Sequence, residues 1–147
     1  MRKLGSVSQI APARNQEMTQ TLRAIAGSSE SLSSEEIFIR LVNSPSSRFW
    51  VSEERAAEIL GRMFRGDPLK GMRPHRREMF QALFRIASEY LADNPGASYT
   101  DAAFHAVHTP APKFFITPGS ARTIFSHMRR MRSSNSSNSS PRYGHSS

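Results

Sequence analysis

"VNSPSSRFWVSEERAAEILGRMFR" runs from Val42 to Arg65, and "VHTPAPKFFITPGSARTIFSHMRR" runs from Val107 to Arg130. Laid with Val42 on Val107, the two stretches align from end to end without a gap. Val42/Val107, Pro45/Pro110, Phe49/Phe114, Ala56/Ala121, Ile59/Ile124, Met63/Met128 and Arg65/Arg130 are then identical pairs. Ser44/Thr109, Arg48/Lys113, Trp50/Phe115, Val51/Ile116 and Ser52/Thr117 keep their chemical character. Unrelated segments of ordinary composition match at about one or two positions in such a window. The excess predicts an internal repeat.

The same physical cues recur in each copy. Ser33 or Ser34 caps a helix whose first turn carries Glu35 and Glu36, carboxylates that suit its positive end. Ile37, Phe38, Leu41 and Val42 make its apolar side. Pro45 stops it, because proline has no amide proton and disfavours helix at the residue before it. "RFWV" is short, aromatic and β-branched, the composition of an extended piece crossing a core. Ser52 then caps a helix through Arg65, with Ala56, Ile59, Leu60 and Met63 inward. The second copy repeats the plan: a short helix with Ala102, Ala103, Phe104 and Val107, a break at "TPAP", the extended "KFFI", and a helix capped by Thr117 with Pro118 in its first turn.

Outside the copies, Met18, Leu22, Ile25 and Ala26 share one face of a first amphipathic helix that stops at Gly27. A long fourth helix opens at Pro74, carries a stripe of Met79, Phe80, Leu83, Phe84, Ala87, Tyr90 and Leu91, and ends at "DNPG". The expected organisation is a flexible arm over 1–12, a single helical domain over 13–132 containing the repeat (33–65 and 98–130), and a disordered Ser/Asn-rich tail over 133–147. The fold class is all-α, two related helix, extended corner, helix units joined by a long connecting helix.

At 147 residues and 16.5 kDa the chain has the size of one domain. Cysteine is absent, which excludes disulfides, thiolate metal sites and cysteine nucleophiles. No apolar run suits a signal peptide or a membrane span, so a soluble, cytoplasmic protein is expected, with no membrane partner. A net charge of +8 and a pI near 11.0 point to a polyanion. After Asp101 there is no acidic side chain, and Lys113, Arg122, Arg129, Arg130, Arg132 and Arg142 supply six of the eight net charges.

The two copies differ at the start of their second helix. Glu53, Glu54 and Glu58 in the first would repel a phosphate backbone, whereas Pro118, Gly119 and Ser120 in the second leave amides and a positive dipole end for an anion. The expected nucleic-acid-binding set is Lys113, Ser120, Arg122, Arg129, Arg130 and Arg132, with a second basic cluster at Arg73, Arg76 and Arg77 beside Lys70. Two short helices joined at an angle suggest a helix-turn-helix layout, although the connection from Asn43 to Ser52 is longer than that motif uses. The rings of Phe49/Trp50 and Phe114/Phe115 serve first as core anchors, and alternation leaves Trp50 or Phe115 for a surface role.

His105 and His108 stand i, i+3 with His127 further on, but no carboxylate or cysteine completes a metal set. No metal and no cofactor is expected. No glycine-rich elbow surrounds a serine, so no enzyme is expected either.

"RFWVSEERAAEIL", "REMFQALFRIA" and "PAPKFFITPGSA" resemble small basic proteins encoded in gut Bacteroidota and their mobile elements, a similarity that covers about Arg48 to Arg130. The resemblance implies a bacterial or phage cytoplasmic setting and carries no activity or site residue with it. The expected function is a non-enzymatic nucleic-acid-binding protein, a regulator or accessory factor whose partner is duplex DNA. The alternative is an interaction or assembly adaptor that meets a protein partner, or itself, through the first repeat.

Overall fold

Six helices form among the residues described by the computed structural model, 7–28 and 31–146, with side chains described over 9–28 and 31–134. They are α1 (Val7–Ala26), α2 (Ser34–Val42), α3 (Glu53–Phe64), α4 (Pro74–Asp93), α5 (Tyr99–Val107) and α6 (Pro118–Ser146). The fold is all-α.

Local chemistry sets the helix starts. Ser33 accepts the amide of Glu36 while the Glu36 carboxylate accepts the amide of Ser33, and Ser98 and Asp101 make the same reciprocal box at α5. Ser52 caps α3 by accepting the amide of Arg55, and Thr117 caps α6 by accepting that of Ser120. Each such cap contributes about 1 kcal/mol. With Val42 laid on Val107, α2 and α5 begin and end in register, and α3 and α6 begin in register.

The extended corners meet each other. Ser46 and Ala111 form an isolated antiparallel bridge, each amide donating to the other's carbonyl at 2.9 Å. Phe49 donates its amide to the carbonyl of Val107, and Phe114 donates to that of Val42, both at 3.0 Å. The corners run through the interior, where unpaired backbone groups are costly, and each satisfies the other. This crossing decides the packing. α2 packs on α6 and α5 packs on α3, so each segment's first helix lies against the other segment's second helix. α2 and α3 do not form the close pair of a helix-turn-helix, nor do α5 and α6, and that expected layout is corrected: the extended corner from Asn43 to Ser52 carries the chain past its neighbour.

Two cores result. Phe49 is buried with Ile59, Leu60, Phe80, Leu83 and Val107, and Phe114 is buried with Met18, Leu41, Val42 and Ala121.

α4 does more than connect. It packs on α5 as α1 packs on α2. "EMTQTLRAIA" in α1 (17–26) and "EMFQALFRIA" in α4 (78–87) share Glu, Met, Gln, Leu, Ile and Ala when Met18 is laid on Met79. Met18 and Met79 are both buried. Glu17 accepts the amide of Ser47 at 2.8 Å, and Glu78 pairs with Lys113 at 2.8 Å, so both glutamates tie their helix to a corner.

The amino-terminal boundary also differs from expectation. Pro12 lies inside α1, so residues 7–12 are helical and only 1–6 of the expected arm remain, outside the described residues. Proline removes one helical amide, and beside it Ile10 and Ala11 line a small cleft with Trp50 and Val51. Of the expected tail over 133–147, the side chains from 135 onward lie outside the described residues.

Candidate nucleic-acid interface

α6 presents the exposed guanidinium groups of Arg129, Arg130 and Arg132, and among the described residues no carboxylate pairs with them. Apolar packing holds this helix: Ala121 is buried, while Ile124 and Phe125 pack with Phe38 of α2 and Leu22 of α1. Arg122, one turn into α6, holds its guanidinium 5.4 Å from the ring centre of Phe38.

The remaining expected ligands, Arg73 apart, have structural work. Lys113 is paired with Glu78 and lies 5.6 Å from the ring centre of Phe115. The amide of Ser120 is taken by Thr117, whose hydroxyl donates in turn to the Ser120 hydroxyl. Arg77 donates to the carbonyl of Met72 at 2.8 Å and closes the loop after α3, with its Nε buried and without a partner. Arg76 lies over Phe80, and burial, then the charge of Arg55, holds its guanidinium below the ordinary arginine range. Arg73 is exposed at the N-cap of α4. Arg76 lines a cleft with Ile10, Trp50 and Arg55, whereas Arg129 and Arg132 line another with α1 and α2. Neither of these two clefts holds both basic clusters.

That second cleft measures about 490 Å³ and is lined by Leu22, Ala26, Ser34, Ile37, Phe38, Phe125, Arg129 and Arg132. Its floor is apolar and its rim is cationic. No protein-family model, curated protein or solved structure matches the chain. The reading of the interface therefore rests on the geometry of these side chains.

Two features escaped the sequence reading. Glu53 is buried and its carboxylate lies 2.6 Å from His108 Nε2, at the C-cap of α5. It is turned inward to the other segment and does not stand at the surface as a repelling charge. Phe115 is buried rather than free: its backbone takes a left-handed φ of 60°, and its ring stacks on Phe49 with centres 5.7 Å apart. Trp50 is half-buried and donates its indole N–H to the Ser46 hydroxyl. The histidines go separate ways, His108 to Glu53 and His105 onto the ring of Tyr90 at 4.4 Å.

Proposed function

We propose that the chain is a duplicated three-helix unit that binds nucleic acid without catalysis, through phosphates met by the exposed arginines of α6. The observation that carries this reading is the unopposed set Arg129, Arg130 and Arg132 in a stretch with no acidic residue after Asp101. Guanidinium groups donate in a fork that matches phosphate oxygens. The duplication is supported by the equal spacing from α2 to α5 and from α3 to α6, the reciprocal corner bonds and the shared residues of α1 and α4. No described helix is long and apolar enough to cross a membrane. A cytoplasmic regulator or accessory factor of a bacterial or phage system is the setting that fits.

A helix-turn-helix layout would have added support for duplex DNA, and α2 with α3 does not form one. Phosphate contacts position a protein without selecting a base. The test is fluorescence anisotropy of a labelled oligonucleotide across a salt series. Affinity should fall steeply with salt, as counterion release requires. No binding at low salt would sink the reading.

A protein partner is the second reading, and one observation favours it. Ile39 of α2 and Phe104 of α5 occupy the same place in their two copies, and both are exposed. Matching apolar side chains at matching places suit a surface that meets a partner or a second copy.

A further inference from the structure

The two halves close their cores differently at one place. Phe64 of α3 stacks on Tyr99 of α5 and lies against Phe84 of α4, each pair with ring centres 4.6 Å apart. In the alignment that lays Val42 on Val107, Phe64 falls on Arg129 of α6 and Tyr99 on Ser34 of α2. In the alignment that lays Met18 on Met79, Phe84 falls on Arg23 of α1. Of these three counterparts, Ser34 and Arg129 line an open cleft of about 490 Å³, whereas Arg23 lines a different one.

We propose that this cleft receives an unpaired nucleobase, with the flanking phosphates on Arg129 and Arg132, so that the partner is single-stranded where it meets the protein. The inference rests on the nucleic-acid reading above and names the form of its ligand. The space suits a flat aromatic group, because Phe64 and Tyr99 stack where Arg129 and Ser34 line the cleft. Its volume lies within the roughly 300–1,000 Å³ of small-ligand sites. Phe38 and Phe125, 5.8 Å apart at their centres, supply an aromatic floor on which any base can stack. Ser34 at the rim can donate to or accept from a base edge. Among the described residues no carboxylate lines the cleft, and Glu36 of α2 is engaged with its own cap, Ser33. The charge favours a nucleotide over an apolar ligand. An acidic aromatic peptide is the competing occupant.

The experiment compares a labelled oligothymidine single strand with a duplex of equal length, using the full chain and its Ser34→Tyr variant. Tyrosine is the residue at the corresponding position of α5, and the substitution leaves the net charge unchanged. Single-strand affinity should fall roughly ten-fold, the loss of one stacked base, while duplex affinity stays level. If the parent binds both forms and the variant changes neither, the cleft is not a base site and the phosphate reading survives. If the parent binds neither form, both readings fail; capture of an acidic aromatic peptide would then give the cleft to a protein. A second measurement uses the unmodified chain and so does not depend on how the variant folds. Photocrosslinking to a 5-iodouracil strand should place the adduct on Phe38 or Phe125. Adducts confined to other residues, or none, overturn the assignment.

Discussion

Ser46 and Ala111 hold each other's backbone in both directions, amide to carbonyl at 2.9 Å each way, and they align when Val42 is laid on Val107. The contact relates two residues of corresponding position, so each donates what the other accepts. Such a pair ties the two extended corners together by two backbone hydrogen bonds. It also explains why α2 and α5 pack across the molecule and not on the helices that follow them.

Ser46→Pro and Ala111→Pro each remove one of these amides and strand a buried carbonyl. Each should lower stability by about 1–3 kcal/mol in urea unfolding. The double variant should lose less than the sum, because both substitutions break one bridge. Additive losses would mean that the corners are held independently.

The buried carboxylate of Glu53 depends on His108. His108→Ala leaves it without its partner and should cost about 1–3 kcal/mol, although His108 itself is half exposed. Adding Glu53→Ala should recover part of that loss, since the unpaired buried charge is then gone. Chemical denaturation of the single and double variants checks both steps.

Two carboxylates predict the acid limb of the stability curve. The amide of Leu69, then Arg62, holds the Asp67 carboxyl below the ordinary aspartate range, and the amide of Ser33 does the same for Glu36. A depressed folded-state pKa contributes stability above the unfolded value and loses it as pH falls through the folded one. The melting temperature should therefore hold at mildly acid pH and drop below the ordinary carboxylate range. Asp67→Asn should be less stable than the parent at neutral pH, and the two curves should converge in acid. The Asp67 contact also supports Leu69, whose φ of 59° is unusual for a side chain of that size.

Much of this fold is legible in the residues. Ser33, Ser52, Pro74 and Thr117 mark helix starts by chemistry that acts within a few residues, and Phe49 and Phe114 read as core anchors because aromatic corners seldom remain in water. Which helix meets which is decided by the crossing at Ser46 and Ala111, a contact between distant residues that no local period encodes. The likeness of α1 to α4 was hidden for a simpler reason. Its offset, Met18 to Met79, is shorter than the offset from Val42 to Val107, because α4 runs on through "SEYLAD" where α1 stops at Ala26. The interface was legible as charge but not as geometry: Lys113 and Arg77 look like Arg129 in sequence, and only their partners, Glu78 and the Met72 carbonyl, set them apart.

That distinction gives the last prediction. Arg129, Arg130 and Arg132 are exposed and have no partner among the described residues, so replacing all three by alanine should change stability little. Oligonucleotide affinity should fall for every sequence, and the salt slope should flatten by about one unit per lost phosphate contact. Arg77→Ala is the matched control, because it removes one positive charge from the basic cluster that opens α4. It strips the loop after α3 of its latch at Met72, and should lower the melting temperature while leaving the salt slope unchanged. If Arg77→Ala flattens the slope and the α6 variant does not, the nucleic-acid surface lies at the start of α4, and the arginines of α6 serve only to keep that helix in solution.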